Sequence, residues 1–173
     1  MATTDLHKYT VVEKLNKMDV DLIDVSIAVD ADAAGELLGD TTEIANAVAV
    51  SGGSAILQSA SLISSKVLTD TVDVVITSDD TSIGTIGATL SGVSTTTSAV
   101  ADGISGFFSI TNLEDIGVIA LGSKQNIGMV CKAASGSTSL HVWLIARGTT
   151  DWDVDTVILR LGFVKDYCFQ VEE

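Results

Sequence analysis

The chain contains few of the residues from which catalytic and nucleic-acid-binding sites are built. Its 173 residues include two histidines, two cysteines, no proline and only 5% aromatics. The nine lysines and arginines are scattered and form no basic patch, while the net charge is −14. Because such acidity repels phosphate backbones, the composition argues against a nucleic-acid partner.

Long hydrophobic runs are also missing. No apolar segment approaches the roughly 18 residues of a membrane-spanning helix, and the N-terminus lacks the basic start and apolar core of a secretion signal. The sequence therefore predicts a protein that is made and used in a soluble compartment, with no membrane partner.

The scarce reactive residues do not form a recognisable catalytic or metal motif. His7 and His141 lie far apart in the sequence, whereas a hydrolase needs a nucleophile, a base and an orienting group that converge. Cys131 and Cys168 have no CxxC spacing and no neighbouring histidine, which indicates two reduced, half-buried thiols. We therefore expect no enzymatic activity and no cofactor.

The alternating aspartates at 151, 153 and 155 could belong to a calcium-binding loop. Counting from Asp151 places Thr156 and Gly162 where an EF-hand requires glycine and glutamate, so this motif is excluded. A looser calcium site in the same loop stays open beside the simpler interpretation as a solvated turn.

The residues that are abundant favour strands. Hydrophobic residues make up 46% of the chain, 15 residues are glycine, and serine and threonine are frequent. Turn sequences such as "SGGS" at 51–54 and "ASGSTS" at 134–139 separate ten short segments that alternate or are apolar throughout. The predicted strands are 22–29, 44–50, 55–63, 71–77, 85–90, 106–110, 117–121, 127–132, 140–147 and 157–164. This spacing predicts an all-β fold, an antiparallel β-sandwich with jelly-roll topology.

The first residues differ from the rest of the chain. Residues 1–20 are polar and charged, with a helical spacing of Val11, Val12 and Leu15 that covers barely two turns. We interpret them as an N-terminal arm that orders on contact with another surface, with a frayed terminus or a first edge strand as the alternatives. Residues 21–173 are then the sandwich domain.

The stretch "SLHVWLIARGTTDWDVDTVILRLGF" at 139–163 carries apolar side chains on both faces of its two strands. A loop that closes symmetrically would pair the strands as a hairpin, with Trp143 opposite Arg160 and Ile145 opposite Ile158. The resulting face is too apolar for open water and suits a partner surface. We therefore predict an oligomer or capsid interface at His141, Trp143, Ile145, Ile158 and Arg160.

Four segments resemble a known family: "GGSAILQSASLI" at 52–63, "IGTIGATLSGVS" at 83–94, "LGSKQNIGMVCKAASGSTSLHVWLIARGT" at 121–149 and "VILRLGF" at 157–163. They are similar to small virion proteins of tailed bacteriophages, the capsid decoration or cement proteins. The resemblance implies a non-enzymatic homotrimer that binds the major capsid protein on the capsid exterior, braces the head and is assembled in the host cytoplasm.

An alternative is a carbohydrate-binding or host-attachment module, because jelly rolls also form lectin and fibre-head domains. Asp151, Trp152 and Asp153 are the candidate loop contact for a glycan, since such sites expose aromatic rings in loops.

Overall fold

Nine strands make up the regular structure of the chain in a computed structural model, which describes residues 19–29, 34–65, 70–80, 83–88, 103–111, 113–148, 152 and 155–165. No helix occurs among these residues. The strands are β1 (Asp19–Val29), β2 (Thr42–Ile44), β3 (Ser54–Ser64), β4 (Val72–Thr77), β5 (Ile104–Ile110), β6 (Glu114–Asp115), β7 (Ala120–Lys132), β8 (Leu140–Ala146) and β9 (Asp155–Lys165).

The strands form two antiparallel sheets that pack face to face. One sheet has five strands in the order β1-β9-β3-β7-β6, and the other has four in the order β2-β8-β4-β5. One core cluster contains inward-facing side chains from both sheets. The predicted all-β class and antiparallel β-sandwich are confirmed.

The core follows from the alternation along the strands. On β9 the inward side chains are Val157, Leu159, Leu161 and Phe163, all fully buried. The facing sheet contributes the alternate residues of β8, beginning with Leu140. Burying each side chain of this size contributes about 1.5–3 kcal/mol to the free energy of folding, so these two strands anchor the sandwich.

The predicted hairpin between β8 and β9 is wrong. β8 pairs with β2 and β4, whereas β9 pairs with β1 and β3 in the other sheet. Alternation fixes which side chains of a strand point inward, but the same inward pattern suits either sheet of a sandwich. The chain between β8 and β9 crosses from one sheet to the other, so the two apolar faces meet across the core.

Most predicted strands are present, with shifted ends. The segment predicted at 44–50 contributes only the end of β2, and residues 45–50 form turns and bends. The two segments predicted at 117–121 and 127–132 largely merge into the 13-residue β7. Within 85–90 the described residues form one isolated bridge.

The predicted arm falls mainly outside the described residues. Residues 1–18 are not described, and Asp19 and Val20 already belong to β1. β1 pairs with β9 along its full length, from Asp19 opposite Lys165 to Val29 opposite Asp155. The sheet therefore begins within the segment that the sequence assigned to the arm.

Candidate functional site: the two outer faces of the sandwich

The outer face of the four-stranded sheet is covered by the chain itself. Trp143 and Ile145 point away from the main core, yet they are only 1% and 2% exposed. They lie in a second buried cluster with Leu37, Val75 and Ile83. The second apolar face of β8 is therefore covered by residues of the same chain.

Backbone hydrogen bonds hold this cover in place. Leu37 forms an antiparallel bridge with Ile145 and a parallel bridge with Ile86. The Leu38 amide donates to the Leu144 carbonyl at 2.9 Å, and the Ala146 amide donates to the Glu36 carbonyl at 2.9 Å. Residues 36–38 therefore continue the sheet past β8, and the segment at 86–88 continues it once more.

An ion pair between buried Asp73 and half-exposed Arg147 lies on the same face. The Asp73 side chain is 4% exposed, and the Arg147 Nη2 lies 2.5 Å from its Oδ2. Ser109 Oγ donates to the other carboxylate oxygen at 2.6 Å. A buried carboxylate is costly unless it is paired and hydrogen-bonded, and both oxygens of Asp73 are satisfied here.

A small cavity adjoins this ion pair. Its volume is about 230 Å³, and Val75, Ile104 and Phe107 are among the side chains that line it. Phe107 is 65% exposed, which makes it the most exposed aromatic ring among the described residues. The cavity is therefore an apolar recess at the edge strand β5, closed at one end by charged groups.

The outer face of the five-stranded sheet remains open to solvent. Val20, Val164, Ile56 and Val130 lie opposite one another on β1, β9, β3 and β7. Val20 and Val130 are 62% and 63% exposed, and Ile56 is 36% exposed. We call these four residues the first apolar row.

A polar row crosses the middle of the same face. Its members in strand order are Asp24, Arg160, Ser61 and Ser123, which lie in register. Arg160 Nε and Nη2 donate to the two carboxylate oxygens of Asp24 at 2.7 and 2.8 Å. These hydrogen bonds, with a smaller charge–charge contribution, hold the pKa of Asp24 below its usual range.

A second apolar row follows on the far side of the polar row. Ile158, Ile63 and Leu121 lie opposite one another, with Ser26 completing the row on β1. Ile158 is 38% exposed and Leu121 is 37% exposed. Between the first apolar row and the polar row lie Leu22, Gly162, Ser59 and Gln125.

The five residues of the predicted interface do not form one surface. His141, Trp143 and Ile145 lie on β8, whereas Ile158 and Arg160 lie on β9 in the opposite sheet. Trp143 and Ile145 are covered by the chain itself, so only the β9 pair lies on an open face. The predicted contacts of Trp143 with Arg160 and of Ile145 with Ile158 are therefore wrong.

Trp152 is not an exposed loop residue. It is 1% exposed and belongs to the main core. Packing the indole ring there removes a large apolar area from water. Asp151 and Asp153 lie outside the described residues. The expectation of an exposed tryptophan as a glycan platform is thus overturned.

His141 lies on the outer side of β8 and is half-buried. Its register partners are Glu43 on β2 and Thr77 on β4. Ser139 Oγ donates to Glu43 Oε1 at 2.5 Å, whereas a catalytic serine must give its proton to the histidine base. The three residues are neighbours without the arrangement of a hydrolytic triad.

Cys131 is fully buried, more deeply than the sequence predicts. Burial raises the pKa of its thiol to about 12, against a smaller opposing contribution from a backbone hydrogen bond at Leu57. Among the described residues, no group of three or more histidine, cysteine or acidic side chains is placed to hold a metal ion. No helix able to cross a membrane is present in the described part of the chain.

The first apolar row was missed in the sequence. Val164 was assigned to a strand and Val130 to another, but the row exists only because four strands are in register. The sequence contained only a weak signal for it, because these outward aliphatic residues alternate with inward aliphatic residues that already account for the core.

No family model matches the chain, and no curated protein matches it. Among solved structures, Desmodium yellow mottle tymovirus has 13% identity and a TM-score of 0.26, covering 91% of this chain and 93% of that chain. Tomato aspermy virus has 8% identity and a TM-score of 0.34, covering 96% of each chain. At these TM-scores the similarity assigns neither a family nor a function to the chain.

Proposed function

We propose that this protein is a non-enzymatic virion structural protein of the decoration or cement type. In this role it binds the major capsid protein on the outer surface of the head as an oligomer and stabilises the shell. The proposal starts from the sequence resemblance at 52–163, and three features of the fold support it.

The first supporting feature is the nesting of the strand pairs. β1 pairs with β9, β2 with β8, β3 with β7 and β4 with β5, so the first strand meets the last and the pairs close inward. A long antiparallel hairpin rolled into two facing sheets gives this order, which favours the jelly-roll interpretation. Such a sandwich buries its core in one domain and leaves its sheet surfaces available for contacts.

The second supporting feature carries the proposal: the open face of the five-stranded sheet. It presents Val20, Leu22 and Val130, each more than 60% exposed, on regular strands. Contiguous exposed apolar side chains on a folded domain mark interaction surfaces. A partly apolar surface of this kind suits contact with another protein, and the proposed role requires such contacts between copies of the chain and with the capsid.

The third supporting feature is the use of the basic residues. Arg160, Arg147 and Lys165 are each paired with an aspartate of this chain. Their charges are neutralised by neighbouring aspartates, so these three residues do not form a basic patch on a chain with a net charge of −14. Such electrostatics favour a protein partner over a nucleic acid.

The test is binding to capsids of the virus that encodes the chain. Purified protein is mixed with capsids that lack it, and the pelleted copy number and the melting temperature of the heads are measured. We expect saturation at a multiple of the capsomer number and a higher melting temperature. Failure to co-sediment at saturating protein, with the protein shown to be folded, would contradict the proposal.

The homotrimer implied by the sequence resemblance is a separate expectation. The native mass in solution tests it: a mass of three chains supports the trimer, and a mass of two chains contradicts it.

A further inference from the structure

We propose that the open face of the five-stranded sheet is a self-association surface. A second copy of this chain packs on it face to face, related by a twofold axis that runs parallel to the strands between β9 and β3. This inference does not rest on the proposed virion role, because it concerns contact between two copies of the chain alone.

The distribution of exposed apolar side chains singles out this face. Ten large hydrophobic side chains are exposed among the described residues, and six of them lie here: Val20, Leu22, Ile56, Leu121, Val130 and Ile158. The outer face of the other sheet is closed over Trp143 by the chain's own residues at 37 and 83. Within the described parts of the chain, the five-stranded sheet is therefore the one whose outer surface still lacks a cover.

The charge of the face points to a second copy as the occupant. On β1, β9, β3 and β7 the charged side chains of these rows are Asp24 and Arg160, which neutralise each other, so the rows carry no net charge on these four strands. Glu114 lies opposite Leu121 on the edge strand β6 and adds one negative charge at the margin of the face. The whole chain carries −14, and two copies repel wherever their acidic surfaces meet. Approach through a neutral, apolar face avoids that repulsion.

The twofold axis parallel to the strands makes the apolar rows self-complementary. The rotation exchanges β1 with β7 and β9 with β3, and it keeps every row at its own height along the strands. Val20 of one copy then meets Val130 of the second copy, and Val164 meets Ile56. In this row, and between Ile158 and Ile63 in the second apolar row, aliphatic side chains thus face aliphatic side chains, in the aligned arrangement that packed sheets adopt.

The polar row selects this axis over the alternative. Under the same rotation Asp24 meets Ser123 of the second copy, and Arg160 meets Ser61. A hydroxyl donates to a carboxylate and accepts from a guanidinium, so both charges keep hydrogen-bond partners. A twofold axis along the polar row would instead place Asp24 against its own symmetry mate, which like-charge repulsion disfavours.

The available area matches a stable interface. β1 and β9 have 11 residues each, and the face spans four strands. At about 3.4 Å per residue and about 4.8 Å between strands, the footprint is roughly 700 Å² per copy. Stable interfaces bury about 600–1,000 Å² per partner, so a footprint of this size lies within the range of a stable dimer.

Sedimentation equilibrium of the full chain measures the self-association. We expect the mass of a dimer, with tighter association at higher salt because salt screens the remaining acidic repulsion. Val130→Glu is expected to raise the dissociation constant at least about tenfold, since a twofold contact introduces the carboxylate twice. Phe107→Glu adds the same charge at a 65% exposed position on β5 of the other sheet, and it is expected to leave the dissociation constant unchanged.

A charge exchange tests the pairing itself. In the double variant Val20→Lys and Val130→Glu, the axis places each lysine against a glutamate of the second copy, so the dimer is expected to return. Circular dichroism and melting curves confirm that each variant is folded.

A second pair of variants uses an exposed polar position in case Val130→Glu fails to fold. Ser123→Glu places a carboxylate against Asp24 of the second copy and is expected to weaken the dimer, whereas Ser123→Lys is expected to preserve it. A monomeric wild-type chain, a trimer, or a dimer insensitive to these changes would overturn the inference. Co-sedimentation with capsids is measured separately, so loss of the dimer and loss of capsid binding are distinguishable.

Discussion

Asp24 on β1 and Arg160 on β9 form a two-pronged ion pair across the middle of an open sheet, with nitrogen–oxygen distances of 2.7 and 2.8 Å. Apolar rows lie on either side of this pair along the strands. The pair holds two adjacent charges between rows of uncharged side chains on β1, β9, β3 and β7. The pair therefore makes the middle of the face polar while adding no net charge.

Acid should remove the contribution of this ion pair to stability. The folded-state pKa of Asp24 lies below its ordinary value of 3.8, so the unfolded chain binds this proton more readily. The stabilisation is present above that value and is lost as the pH falls through the lowered pKa. Below about pH 4, we expect the melting temperature of Asp24→Asn to change less with pH than that of the wild type. High salt should shrink the difference, because both side chains are about half exposed.

Two arginine variants should separate a buried ion pair from an exposed one. Arg147→Ala leaves the Asp73 carboxylate, which is 4% exposed, hydrogen-bonded to Ser109 but without its positive partner. We expect a loss of roughly 1.5–3 kcal/mol in the free energy of unfolding, measured by urea titration. Arg160→Ala is the matched control and should change stability far less, because water can solvate Asp24. Equal losses would contradict the difference in burial.

The cover over Trp143 should be essential for stability. Leu37 is fully buried against this cluster, so Leu37→Ala is expected to cost about 2–5 kcal/mol. Ile86 is a bridge partner of Leu37 and is itself 40% exposed. Ile86→Ala should therefore lower the free energy of unfolding by less than about 1 kcal/mol. In a Trp152→Phe background, Leu37→Ala should also shift the fluorescence of Trp143 to longer wavelength. An unshifted spectrum with unchanged stability would mean that the cover is unimportant.

Cys131 should be inert in the folded protein. Its thiol is fully buried and burial raises its pKa to about 12, so at pH 8 it is both protonated and shielded from reagents. In a Cys168→Ser variant, a thiol reagent should find no fast-reacting group in the native protein and one per chain in guanidinium. Rapid labelling of the native protein would show that β7 opens readily.

The fold class was predictable because it depends on local chemistry. The alternation in β9, with Val157 and Leu159 inward, is visible in the sequence and is realised in the structure. Short segments were less predictable: alanine-rich residues 44–50 look apolar enough for a strand, but tertiary contacts make most of them turns. Trp152 illustrates the same limit, since polar neighbours suggested exposure and packing buried it.

By itself, the sequence determined that this acidic chain forms antiparallel strands with one aliphatic face turned inward, since side-chain alternation is a property of each strand alone. Only the tertiary structure decided which strands are neighbours. That choice separated Trp143 from Arg160 into different sheets, closed one outer face and left the other open. The physical reason is that pairing depends on contacts between residues distant in sequence, and the same inward pattern satisfies either sheet until the whole core is packed.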